Sequence, residues 1–306
     1  MHRSKAAYRL HLPDGAARRG RLPLLVMLHG CQQEARSFAE GTRMDALADR
    51  HGFIVLYPEQ SRRANRFGCW NWFDRATLAG VGEPAAIAAT IGAVAARFNV
   101  DSTRIYVAGM SAGGAMACVL AACHGTLFAA CAIHSGVMYG AAASPAAAVA
   151  AMRSGSSVSP RDAARHAVRT SARGFAVVPT LVIHGDRDEA VHPVNAEQIV
   201  EQVRTIAEDA SPAAWPLAAS RERRVPTDGY AYRLRDYAQS GRLVLRKVIV
   251  EGLGHAWSGG DVRHRFNDAR APDASGLIWD FVSQFRRLPG ERSARRLPAL
   301  LRWLRR

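Results

Sequence analysis

Six short apolar runs, rich in β-branched residues and separated by longer alanine-rich stretches, constrain this chain more than any other feature. The runs are LPLLVMLHG from Leu22, GFIVLYP from Gly52, RIYVAG from Arg104, FAACAIHSG from Phe128, PTLVIHG from Pro179 and RLVLRKVIVEG from Arg242. Runs apolar on both faces suit parallel strands covered on each side by helices. The segments near Ser37–Arg50, Pro84–Phe98, Ala112–Cys123, Asn195–Glu208 and Ala274–Phe285 read as the helices that do the covering. The expected fold class is therefore α/β, a three-layer sandwich around a mostly parallel central sheet.

Two stretches break the alternation. Tyr139 to Phe175, rich in Ala, Ser and Arg, reads as a helical, cap-like insertion, and Asp209 to Ser240, with weak periodicity, reads as a second excursion. With 48% hydrophobic and 22% charged residues in 306, the chain has apolar surface enough for one α/β domain over residues 1–290. Residues 291–306 then form a basic amphipathic tail carrying Leu297, Leu300, Leu301 and Trp303. Such a tail either docks on the body or contacts an anionic membrane or granule surface.

No run approaches the ~18 apolar residues of a membrane span, and the start MHRSKAAYRL lacks a signal-type apolar core. As written the chain is expected in the cytoplasm, with secretion as the alternative for a trimmed mature form. The net charge of +15 sits largely in Arg286–Arg306 and Arg221–Arg224, without any nucleic-acid-binding signature, so no nucleic-acid partner is expected. Five cysteines, an odd number without metal-ligand spacing, argue against a zinc site and a disulfide scaffold. Neither metal nor cofactor is expected. Cys118, Cys123 and Cys131 read as small buried hydrophobes.

The run RIYVAG enters Gly109-Met110-Ser111-Ala112-Gly113 and then the helical segment AGGAMACVLAAC. A GxSxG pattern alone is weak, but strand, tight turn and helix together are what a nucleophile elbow requires. Ser111 is the candidate nucleophile. A serine hydroxyl needs a base to take its proton and a carboxylate to orient that base. Further along the chain, PTLVIHG runs into Asp186 and Asp188, and RLVLRKVIVEG runs into Gly254-His255, all at the carboxyl ends of strands. His255 is the candidate base. Asp188 is preferred to Asp186 as the acid because two further loop residues let it reach the histidine. For the oxyanion, Ala112 offers one backbone N–H; Cys31 or Gln32, after His29-Gly30, offers the second, with Cys31 preferred. The Cys31 side chain has a possible partner in Cys69 in an oxidising compartment.

The segments MLHGCQQ, GTRMDALADRHGFIVLYPEQ, CWNWF, YVAGMSAGGAMA, HSGVMYGAA, HGDRDEAVHPVNAEQ and GLGHAWSGG resemble those of polyhydroxybutyrate depolymerase-type esterases, related to feruloyl and acetylxylan esterases. The likeness covers about Tyr8 to Phe285. It implies an α/β-hydrolase whose Ser, Asp, His triad falls on Ser111, Asp188 and His255, with oxyanion donors on Cys31 and Ala112. It also implies a serine esterase acting through an acyl-enzyme on poly(3-hydroxybutyrate) or related 3-hydroxyacid polyesters and oligomers. Trp70, Trp72 and Trp257 are the aromatic candidates for lining a cleft that takes such a chain. The alternatives are a feruloyl, acetyl or small-ester carboxylesterase with the same triad and, more remotely, a non-catalytic granule- or nucleic-acid-binding protein.

Overall fold

The computed structural model describes residues 7–18, 20–170, 176–210 and 217–287. The tail at 291–306 lies outside the described residues. The elements in chain order are β1 (Tyr8–His11), β2 (Leu22–Leu28), α1 (Ala35–Thr42), α2 (Met44–His51), β3 (Ile54–Pro58), α3 (Arg75–Leu78), α4 (Glu83–Arg97), β4 (Val100–Met110), α5 (Ala112–Cys123) and β5 (Ala130–His134). They continue with α6 (Pro145–Ser154), α7 (Pro160–Thr170), β6 (Thr180–Gly185), α8 (Val194–Ala210), β7 (Ala218–Ala219), β8 (Arg223–Val225), β9 (Tyr232–Gln239), β10 (Arg242–Val250), β11 (Trp257–Ser258), β12 (Asn267–Asp268) and α9 (Ala274–Val282).

The main sheet runs in the order β1-β3-β2-β4-β5-β6-β10-β9-β7, with β8 also paired to β9. Strands β3, β2, β4, β5, β6 and β10 are parallel, and β1 and β9 add antiparallel edges. Both faces are buried, and the two-residue period of β2 shows how. Leu24, Val26 and Leu28 point into one core with α4, α5, α7 and α8, whereas Leu25 and Met27 point into the other with α1, α2 and α9. The architecture is thus a three-layer α/β sandwich. Among the described residues no helix is long and apolar enough to cross a membrane.

The segment expected as one helix over Ser37–Arg50 is two. In a continuous helix the carbonyls of Gly41 and Thr42 would accept from residues 45 and 46. They are taken instead by the Asp261 amide at 2.8 Å and the Ser275 hydroxyl at 2.6 Å, and Arg43 turns left-handed at φ 54°. The Tyr139–Phe175 insertion forms α6, started by the Ser144 side chain accepting from the Ala147 amide, and α7, packed on α8. Within Asp209–Ser240, expected as an excursion, the described residues instead extend the sheet through β7, β8 and β9.

The chain leaves β2 toward β3 on one side and crosses to β4 on the other, so the carboxyl ends of β2 and β4 flank the switch point where open α/β sheets place ligands. Close approach there depends on Gly113, where a Cβ would overlap the carbonyl oxygens of Leu28 and His29. Gly113→Ala should therefore cost about 3 kcal/mol or more, as backbone rather than a flexible side chain must give way. Chemical denaturation would read this as a lower midpoint.

Candidate active site

Strand β4 ends at Met110 and α5 begins at Ala112, so Ser111 alone makes the turn between them. It does so at φ 57° and ψ −121°, a conformation L residues seldom adopt. The strained backbone is pinned by the Ser111 amide donating to the His134 carbonyl at 2.9 Å and by the Ser111 carbonyl accepting from the Ala115 amide. The hydroxyl itself makes no hydrogen bond among the described residues. It stands at the start of a three-turn helix, where the dipole favours negative charge.

The carboxyl ends of β6 and β10 supply the other two groups. A Cβ at Gly185 would overlap the Leu253 carbonyl oxygen, so this glycine lets the two loops touch. The Arg187 amide donates to the Leu253 carbonyl, and Asp186 Oδ1 accepts from the Gly252 amide at 2.7 Å. Asp186 thus braces the histidine loop through its backbone. Asp188, 2% exposed, lies beneath. Its Oδ1 accepts from the Ala190 and Val191 amides, and its Oδ2 accepts from His255 Nδ1 at 2.7 Å. Burial works to raise the Asp188 pKa, but the His255 hydrogen bond, the His255 and His184 charges and the Val191 amide together hold it below the ordinary value. With Nδ1–H given to Asp188, His255 keeps Nε2 as an acceptor. His184 closes the acid loop from behind, its Nε2–H donating to the Val191 carbonyl at 2.7 Å.

Contacts link Ser111 to His255 around the mouth of the switch point. Gly30 abuts Ser111, and its amide donates to Gln33 Oε1 at 2.8 Å. Gln33 Nε2 reaches the Arg265 carbonyl, and the next residue, Phe266, presents its ring edge-on to His255 at 6.0 Å between centroids. Ser111 and His255 share no direct hydrogen bond here; such contacts commonly tighten only with substrate bound. The Gln32 amide is committed to the Phe67 carbonyl at 2.8 Å, whereas the Cys31 and Ala112 amides have no acceptor among the described residues. Ala112 directly follows Ser111, and Cys31 follows Gly30, which abuts Ser111. Among the described residues no group of three His, Cys, Asp or Glu side chains is placed to hold a metal ion.

A family model described as Esterase PHB depolymerase matches residues 6–215, more than half of the chain. The chain belongs to this esterase family. Poly(3-hydroxyalkanoate) depolymerase C of Paucimonas lemoignei is 35% identical over 195 residues, which are 63% of this chain and 46% of that protein. Feruloyl esterase B of Neurospora crassa is 38% identical over 141 residues, 45% of this chain and 46% of its own. The chain spans about half the length of these curated relatives. An acetyl xylan esterase from Aspergillus awamori shares the fold, with a TM-score of 0.71 at 21% identity, covering 90% of this chain and 93% of that one.

In this esterase-family chain the three tryptophans expected to line the cleft are interior. Trp70 and Trp72 are 3% exposed and Trp257 is 1% exposed. The Trp70 indole N–H donates to the His29 carbonyl, and that of Trp257 donates to the Ser275 hydroxyl. They support the loops from below and offer no ring face to a substrate. Phe266, half-buried, instead faces His255, and Phe67, 51% exposed, lies on the loop whose backbone carbonyl takes the Gln32 amide. Phe266 stands alone in a polar loop, and Phe67 is overshadowed by the CWNWF motif that begins two residues after it.

Cys31 and Cys69 form a disulfide that ties the loop after β2 to the 59–74 loop. Cys118, Cys123 and Cys131 are buried free thiols. Closing a loop with a separation of 38 residues stabilises the fold by about 4 kcal/mol in the chain-entropy model. Urea titration of Cys31→Ser/Cys69→Ser should show a loss approaching that figure.

His134, fully buried, has no hydrogen-bond partner on either ring nitrogen among the described residues and stacks on Trp257 at 4.9 Å. Burial, with His184 and His255 adding to it, pushes its pKa down to about 3. Below the ordinary 6.5 the unfolded chain takes up a proton that the folded chain refuses, so stability should fall as pH drops from 6.5 toward 3. The contribution is at most about 1.4 kcal/mol per pH unit. His134→Phe, which retains an aromatic ring, should flatten that part of the slope in urea titrations across this range.

Proposed function

We propose that this chain is a serine carboxylic-ester hydrolase whose substrates are 3-hydroxyacid polyesters or their oligomers. The observation that carries the reading is the pairing of a half-buried turn serine, held in a strained elbow, with a histidine whose Nδ1 is engaged by a buried carboxylate. Ser111 Oγ attacks the ester carbonyl while His255 Nε2 takes its proton. The Cys31 and Ala112 amides stabilise the oxyanion, and Asp188 stabilises the imidazolium that forms. His255 then protonates the departing alcohol, leaving Ser111 acylated. Water, deprotonated by His255, attacks the acyl-enzyme, and collapse of the second tetrahedral intermediate returns the proton to Ser111 and releases the acid.

The polyester preference is supported by the relative named as a poly(3-hydroxyalkanoate) depolymerase. A second reading, esters of hydroxycinnamic acids, is favoured by the relative named as a feruloyl esterase. The discriminating test compares release from amorphous poly(3-hydroxybutyrate), 3-hydroxybutyrate oligomers, methyl ferulate and short p-nitrophenyl esters. Release of hydroxybutyrate units supports the first reading. Turnover confined to ferulate or small esters keeps the chemistry and removes the polyester assignment.

A further inference from the structure

Two Arg-Phe pairs from separate loops border the candidate active site. Phe67 accepts the Gln32 amide through its carbonyl, which places it against the loop after β2, and the Arg66 guanidinium lies over its ring at 4.5 Å. Phe266 faces His255, and the Arg265 guanidinium lies over its ring at 5.2 Å. Phe266 sits at φ 63°, a strained conformation for an aromatic residue, and its carbonyl is held by the Trp257 amide at 2.8 Å. Both arginines are exposed, and neither has a carboxylate partner among the described residues.

The nearby acids do not neutralise them. Glu34 is paired with Arg62 at 3.0 Å, Asp261 with Arg263 at 2.6 Å, and Asp188 with His255. Arg187 and Glu189, on the acid loop, carry opposite charges. The site is therefore bordered by two apolar rings, each with a guanidinium over it that no acid pairs among the described residues. Each guanidinium lies over a ring face, at 4.5 Å for Arg66 and 5.2 Å for Arg265, and has no carboxylate partner among the described residues. Its N–H groups are thus available to a carboxylate, which a guanidinium can bind in a bidentate contact. A neutral ester chain offers those groups only single carbonyl acceptors, without the charge and paired oxygens of a carboxylate.

Resting on the esterase reading above, we infer that Arg66 and Arg265 select esters bearing a free carboxylate close to the scissile bond. The substrate class is acid-terminated oligoesters of hydroxy acids, which present both an apolar backbone for the rings and an anionic end. The net charge of +15 would add attraction at a distance, which salt screens.

The test measures kcat/KM of the full chain on a linear 3-hydroxybutyrate trimer as the free acid and as its methyl ester, at low and high salt. The free acid should be preferred about tenfold at low salt, a ratio that salt reduces. In Arg66→Gln/Arg265→Gln the ratio should fall toward one. Arg161→Gln, on the face where Arg161 pairs with Glu201, should keep the wild-type ratio. Hydrolysis of both esters without discrimination, or a ratio untouched in the double variant, would overturn the inference and leave the esterase reading standing. Hydrolysis of neither would overturn both.

Discussion

Ser111→Ala should remain folded with a wild-type unfolding midpoint while losing about 10^4- to 10^6-fold in kcat on any ester the wild type cleaves. The two halves of that expectation have separate causes. Among the described residues the Ser111 hydroxyl makes no hydrogen bond, so its removal strands no partner there, and the backbone bonds to His134 and Ala115 are untouched. Loss of the oxygen removes the atom that becomes acylated, and the Cys31 and Ala112 amides then have no covalent intermediate to stabilise. Ser111→Gly sharpens the argument. At φ 57° and ψ −121° glycine is unstrained, so this variant should be inactive and more stable than wild type by about 1 kcal/mol. A serine retained for folding would give the opposite result.

The second large effect is expected at Asp188. Asp188→Asn is nearly isosteric, and its side-chain oxygen can still accept from the Ala190 and Val191 amides, so the loop should keep its shape. What changes is His255. An amide NH2 facing Nδ1 favours the tautomer that carries its proton on Nε2, and the imidazolium formed during attack loses its counter-charge. We expect kcat to fall about 10^3- to 10^4-fold. Asp186→Asn is the matched control. Asp186 faces solvent, accepts the Gly252 amide with Oδ1, a role asparagine can fill, and lies 3.9 Å from the partly exposed Arg233 with Oδ2, so kcat should stay within a few-fold of wild type. Equal losses at the two positions would contradict the geometry, in which Asp188 alone of the two touches the histidine.

The parallel strands were legible because burial on both faces writes a continuous apolar run, as in Leu22–Leu28 and Thr180–Gly185. The strand, turn and helix around Ser111 were legible because Gly109 and Gly113 bracket the serine in a short local pattern. Strand β9 was not. Its sequence YRLRDYAQ lies near the sheet edge, where Arg233, Arg235 and Asp236 remain partly exposed, so little apolar periodicity survives. The break between α1 and α2 was hidden as well, since it is made by groups far along the chain, Asp261 and Ser275. The tryptophans show a limit of a different kind. A conspicuous aromatic motif does not say whether its rings support a loop from inside or face a substrate, and here the indole N–H groups of Trp70 and Trp257 are spent on interior acceptors. Phe67 and Phe266 were missed for the converse reason: where they lie depends on long-range contacts with Gln32 and His255.

The central claim, that Ser111 is a nucleophile activated by His255 and Asp188, is tested most directly by treating the protein with an aryl or alkyl fluorophosphonate and locating the adduct by mass spectrometry. The account predicts one adduct per chain, on the peptide containing Ser111, with ester turnover lost in proportion to labelling, no label in Ser111→Ala and greatly slowed labelling in Asp188→Asn. An adduct on another residue, or ester hydrolysis that persists in fully labelled protein, would contradict it.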